Sequence, residues 1–151
     1  MFREQEIEFF KKTKTPFYYY NLDVLDLTIE SMLKYASHFN YDIHYAFKAN
    51  ADDKILDHIR VKGLGADCVS GNEVKKAIDN GFLSEKIVFA GVGKSDDEIN
   101  YSLDKDIFCF NCESLAELNV INELASKKNK IAPVALRINP NVNAKTHQYI
   151  T

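Results

Sequence analysis

No run in this sequence of 151 residues approaches the roughly 20 consecutive apolar residues that span a bilayer. Its first residues, MFREQEIEFFKKTKTP, interleave charges with apolar side chains and lack the apolar stretch of a signal peptide. No membrane contact and a soluble, cytoplasmic protein are expected. Blocks of like charge are also missing: 19 Lys and Arg stand against 22 Asp and Glu, a formal net charge of −3. That balance leaves no footprint for a phosphate backbone, so no nucleic acid is expected as a partner. Cysteine is sparse, with Cys68, Cys109 and Cys112 only, which excludes a disulfide scaffold and fits free thiols in a reducing compartment. Cys109 and Cys112 form a CxxC with no second Cys or His pair at zinc spacing, so no metal site is expected. They read as buried or half-buried thiols, with redox chemistry as the alternative.

From position 43 onward, short apolar runs rich in β-formers alternate with segments whose apolar residues recur at helical spacing. The runs are IHYAFK (43–48), GADCV (65–69), KIVFAG (86–91), DIFCFN (106–111) and APVALRIN (132–139). This alternation predicts an α/β protein with about five parallel βα units. Helices are predicted over 52–62 and 71–80, stopped by Gly63 and Gly81, and after the capping residues Ser95 and Ser114, the second opening a helix to about Lys127. Upstream, a helix around 4–12 and a second over 23–38 flank the extended TPFYYYN (15–21), with Leu25, Ile29, Met32, Leu33 and Ala36 as the buried stripe of the second. Parallel βα units either close into an eight-stranded barrel or form an open sheet with helices on both faces, and both place function at the carboxyl ends of the strands. All five strand ends here are polar or glycine-rich.

Nucleotide fingerprints fail. GVGKS has no glycine five residues before Gly93, where Val88 stands, and Gly63-Leu-Gly65 would need a third glycine at Cys68. His38, His44, His58 and His147 form no pair at metal-ligand spacing and read as surface or loop residues. Ser70 has no nucleophile elbow around it. Lys48 is the exception, because it ends an otherwise apolar and aromatic strand. A lysine there either snorkels to water or, held partly neutral in a barrel mouth, attacks a carbonyl to form a Schiff base.

YAFKAN (45–50) resembles the pyridoxal-phosphate lysine motif of the alanine-racemase-like, fold type III enzymes. TPFYYYN (15–21), GLGADCVSGNE (63–73), KIVFAGVGKSDDEI (86–99), NCESLAEL (111–118) and ALRINPNVNAKTHQYI (135–150) are similar, in order, to segments of diaminopimelate decarboxylases. The first and third of these six motifs are shared with ornithine and arginine decarboxylases. The resemblance implies a partial (β/α)8 TIM barrel: residues 1–22 as an extended leading segment, 23–151 as barrel units, with the last barrel strands and a C-terminal β domain lying outside this sequence.

It further implies that Lys48 is catalytic and carries pyridoxal 5'-phosphate, giving it up to the amino group of meso-diaminopimelate, which loses CO₂ and becomes L-lysine. Arg137 would lie near the phenolic oxygen of the cofactor, and Asp67 and Glu73 would be pocket carboxylates with Ser70 beside them. From position alone, Asp67 equally supports a strand end and Glu73 a helix's first turn. His147 matches a family position without a chemical role. A related amino-acid decarboxylase and a non-catalytic regulatory homologue are the alternatives. Five strands without closure would leave the edges at 43–48 and 132–139 unpaired, so a homo-oligomer is expected, and the isolated segment is expected to be inactive.

Overall fold

The computed structural model describes residues 2–140, 142 and 145, so the expectation for His147 lies outside the described residues. The chain divides into two compact units, Met1–Phe39 and Asn40–Thr151.

In the first unit, helix α1 (Glu4–Lys12) carries Glu4 and Glu6 in its first turn and Lys11 and Lys12 in its last, each complementing the helix dipole. Phe10 on α1 meets Phe2, Phe17 and Tyr19 at ring separations of 5.2, 5.5 and 4.9 Å. This cluster holds the extended residues 15–21 against the helix. The Tyr19 hydroxyl donates to Glu6 Oε1 at 2.9 Å, and the Arg3 guanidinium reaches the same oxygen at 2.7 Å. The Arg3 bonds, followed by that of Tyr19, hold the Glu6 carboxyl down at about 2. Helix α2 (Leu22–Ser37) is capped by Asn21, whose side chain accepts from the Val24 N–H at 3.1 Å. Ile29 and Ala36 of the expected stripe are buried, Leu25 and Leu33 half-buried, and Met32 is 40% exposed.

 Met32 departs from the expectation because, at 100° per residue, it falls at the border of the arc that Leu25, Ile29, Leu33 and Ala36 define.

In the second unit, strands β1 (His44–Ala46), β2 (Gly65–Cys68), β3 (Ile87–Phe89), β4 (Cys109–Cys112) and β5 (Val134–Leu136) form one parallel sheet in the order β1-β2-β3-β4-β5. Helices α3 (Asp53–Val61), α4 (Gly71–Asp79), α5 (Asp96–Asp104) and α6 (Leu115–Lys127) connect them. Each strand pairs with the next in one direction, the order of a barrel; a doubly wound sheet would reverse at a switch point. The register sorts the side chains into two faces. Ala66, Cys68, Ile87, Phe89, Phe110 and Cys112 share one face, and none is more than 1% exposed. Leu56, Ile59, Val74, Ala77, Ile99 and Ile121 of the helices are buried as well, and form the core with that face. His44, Ala46, Asp67, Val88, Cys109 and Asn111 share the other face and are only half-buried. The helices cover one face, and the open face is the one a closed barrel turns inward.

The strands are shorter than the apolar runs. β1 ends at Ala46, two residues before Lys48, because Phe47–Ala49 turn into a 3₁₀ segment that buries Phe47 against the ring of Phe82, 5.3 Å away. β4 starts at Cys109 rather than at position 106, because Asp106 adopts φ 51° in the turn that brings the chain into the sheet. β5 ends at Leu136, and Arg137 follows it, its N–H still donating to Cys112 O at 2.9 Å.

Three helices open on the same four-residue pattern, Ser-x-x-Glu. Ser70, Ser95 and Ser114 accept from the N–H groups of Glu73, Glu98 and Glu117, and the three carboxylates turn back to the N–H groups of Val69, Ser95 and Glu113 at 2.7, 2.9 and 2.7 Å. The Glu98 carboxylate also accepts from Gly71 N–H at 2.7 Å, joining two consecutive loops. A Cβ on Gly71 would lie 2.4 Å from Glu98 Cγ, so this junction requires glycine. Replacing Ser95 or Ser114 by alanine is expected to cost about 1 kcal/mol of stability each. Urea denaturation of the purified protein measures this, and an unchanged midpoint would show that the caps are dispensable.

Candidate active site

The chemistry-bearing residues collect at the carboxyl ends of the strands. Lys48 sits in the 3₁₀ turn after β1, next to the buried Phe47, and is itself exposed. The Tyr45 hydroxyl donates to Asn50 O at 3.3 Å across this turn, and Asn50 Oδ1 accepts from Asp52 N–H at 2.9 Å, ahead of the Asp52 cap of α3. Lys48 makes no hydrogen bond or ion pair among the described residues. Asp67 pairs in register with Ala46 and lies half-buried on the open face, where its carboxylate accepts no hydrogen bond among the described residues.

Ser70 and Glu73 are engaged in capping α4: Ser70 Oγ accepts from Glu73 N–H at 3.2 Å, and Glu73 Oε2 accepts from Val69 N–H at 2.7 Å. Arg137 follows β5 on the open face, its side chain 69% exposed, with Nη1 3.3 Å from Glu113 Oε2. At roughly 4.8 Å per strand, about 14 Å of sheet separates β2 from β5. Asp67 and Arg137 therefore lie on the same face without touching, with Val88, Cys109 and Asn111 between them.

Two residues beside this face received no role from the sequence. The Lys94 side chain is 1% exposed, and its Nζ donates to Gly91 O and Asn111 O, both at 2.8 Å, and to Glu117 Oε1 at 2.6 Å. Glu113 directly follows β4 and meets Arg137. Both lie inside segments that carry the resemblance, Lys94 in KIVFAGVGKSDDEI and Glu113 in NCESLAEL, but received no role there; the further signals were the place of Lys94 directly before the capping Ser95 and the odd offset of Glu113 from buried Cys112.

The three cysteines are free. Positions i and i+3 of a strand face opposite ways, so Cys109 is on the open face and Cys112 under the helices. Burial pushes the Cys68, Cys109 and Cys112 thiols up, away from the reactive thiolate. No group of three or more His, Cys, Asp or Glu that could hold a metal ion occurs among the described residues, and no described helix is long and apolar enough to cross a membrane.

His44 is not the surface or loop residue its sequence context suggested. It opens β1 at the far end of the sheet, its ring 6.1 Å from that of Phe108, with Nε2 buried and unpartnered beside a cavity of about 90 Å³ lined by Asp42, Gly65, Lys86 and Phe108. Gly65 makes room for it, since a Cβ there would lie 2.3 Å from His44 Cδ2.

Residues 25–151 match the family described as pyridoxal-dependent decarboxylase, pyridoxal binding domain. The chain is 56% identical over 146 residues to the diaminopimelate decarboxylase of Bacteroides thetaiotaomicron, covering 96% of this chain and 38% of that one. Its structure is similar to the crystal structure of diaminopimelate decarboxylase from Helicobacter pylori complexed with L-lysine, with a TM-score of 0.84 and 41% identity over 96% of this chain and 37% of that one. The crystal structure of diaminopimelate decarboxylase from m. jannaschii in co-complex with L-lysine gives a TM-score of 0.82 and 38% identity over 94% of this chain and 34% of that one. The chain thus spans little more than a third of the length of the relatives it matches.

Burial lowers the His44 pKa, partly opposed by Asp42 and Asp67 and reinforced by Lys86. The folded chain therefore resists protonation at His44: stability is full above the ordinary value of 6.5 and falls as pH drops below it toward the lowered folded value. His44→Gln is expected to flatten the loss between about pH 6.5 and about pH 5, a window above the carboxylate range. Urea midpoints at both ends of that window test it, and equal slopes in the two proteins would exclude the assignment.

Proposed function

The chain belongs to the pyridoxal-dependent decarboxylases, through their pyridoxal-binding domain, and from that premise we propose that it carries pyridoxal 5'-phosphate on Lys48 and serves the decarboxylation of meso-2,6-diaminopimelate to L-lysine in lysine biosynthesis. The observation that carries this reading is the exposed Lys48 amine, without a hydrogen bond or ion pair among the described residues, set on a turn anchored by Phe47 at the carboxyl end of β1. The donor set fits the group: an exposed amine for its aldehyde, and on the open face a guanidinium and the Asp67 carboxylate, which accepts no hydrogen bond among the described residues. When bound, the cofactor supplies a ring that accepts the electron pair left by departing CO₂.

In this reading the Lys48 Nζ would hold the cofactor through its aldehyde, and the broken ladder after Ala46 leaves that amine open to an incoming amino group. Arg137 would supply a permanent positive charge to stabilise negative charge on the cofactor's phenolic oxygen. Asp67, Ser70 and Glu73 line the pocket between them, the last two on a helix start whose capping bonds keep it rigid. The 56% identity to a diaminopimelate decarboxylase supports the choice of substrate. A cytoplasmic homo-oligomer completes the reading.

Borohydride reduction of the cofactor-loaded protein followed by peptide mapping is expected to place the pyridoxyl group on the peptide containing Lys48. In the protein as its gene encodes it, Lys48→Ala is expected to lower turnover of diaminopimelate on the order of a thousandfold or more. Labelling at another lysine, or full turnover without Lys48, would refute the reading, and assays with ornithine and arginine test the substrate.

A further inference from the structure

A buried ammonium is costly unless each of its three N–H groups finds an acceptor. Lys94 meets that condition with two carbonyls and one carboxylate, and its Nζ lies 5.2 Å from the centre of the Phe89 ring. The three acceptors belong to the loop after β3, the end of β4 and the first turn of α6, so one side chain joins three elements at the mouth of the sheet. The second oxygen of Glu117 accepts from the Glu113 N–H at 2.7 Å, which fixes the backbone of Glu113 from α6. The Glu113 side chain is 18% exposed and faces the Arg137 guanidinium at 3.3 Å.

Arg137 needs such a guide. Its backbone is held by the ladder to β4, but its side chain is 69% exposed and has many rotamers to lose. An ion pair with one exposed partner adds little stability, so orientation is the larger effect of this contact. We propose that Glu113 is a positioning residue for Arg137, and that Lys94, through Glu117, sets where Glu113 stands. The proposal rests on the cofactor reading above and goes beyond it, since neither residue touches the cofactor in that reading.

The test uses the protein as its gene encodes it, loaded with pyridoxal 5'-phosphate, and follows the absorbance of the bound cofactor against pH. Moving a fixed cation away from a titrating group raises its affinity for a proton, so Arg137→Ala should raise the midpoint by about half a pH unit or more. Glu113→Ala should shift it the same way, and the double variant should match Arg137→Ala alone, because both act through one guanidinium. Lys94→Met should reproduce part of the Glu113→Ala shift. If it does not fold, the half-buried Glu113 still decides the matter. A midpoint unchanged in Glu113→Ala, with only the melting temperature altered, would overturn the proposal, as would an unchanged midpoint in Arg137→Ala. Absence of any cofactor band or Lys48 label in the unsubstituted protein would instead sink the cofactor reading itself.

Discussion

The period of two along the parallel strands is the constraint on which the site depends. Because successive side chains alternate between faces, each strand gives one set to the helices and the other to the open side. Ala66 and Cys68 of β2 are sealed under the helices, which leaves Asp67 between them on the open face. Leu136 and Cys112 likewise share the helix side, which turns Arg137 and Glu113 the other way. A register slip of one residue would exchange these sets and bury the charges among Phe89, Phe110 and Ile87, at a cost no ion pair here could offset.

The same constraint explains why the loops after the strands are so heavily bonded. Parallel strands hand the chain directly to helix N-termini, and the first N–H groups of a helix have no partner within it. The Ser-x-x-Glu pattern satisfies them after β2, β3 and β4, and spare carboxylate oxygens reach into neighbouring units. Glu98 reaches Gly71, and Glu117 receives Lys94. The result is a chain of bonds around the mouth, built from groups whose first task is to start a helix. Capping and site-building are therefore not alternatives for Ser70 and Glu73, and their engagement in α4 leaves a lining role to rigid, already oriented groups.

Most of the second unit was legible in the sequence. Helix limits at Asp52, Ser95 and Ser114 and the stops at Gly63 and Gly81 depend on local backbone chemistry, which a sequence displays directly. Strand limits were not legible, because an apolar run records burial and not hydrogen bonding: Phe47 is as buried in its 3₁₀ turn as a strand residue would be. Lys94 and Glu113 stayed hidden for a related reason. Apart from the nearby Gly91 carbonyl, the partners of their side chains lie 17 to 24 residues away, and only the packed sheet brings them together. His44 was misjudged because its environment is made by Gly65 and Phe108, on two other strands or their approaches.

The early end of β1 has a consequence for Lys48. Had the ladder continued, positions 47 and 48 would have kept their backbone groups in the sheet, with the lysine stem laid along the open face beside β2. The turn breaks the ladder after Ala46 while Phe47 remains inserted in the core against Phe82, so the backbone under Lys48 is fixed although its side chain is free. Position comes from the buried neighbour and access from the broken ladder. A strand end alone gives the second without the first, since frayed backbone cannot hold an amine in one place. The alternating burial of Phe47 and exposure of Lys48 is thus what makes a single lysine both anchored and reachable at the rim of the sheet.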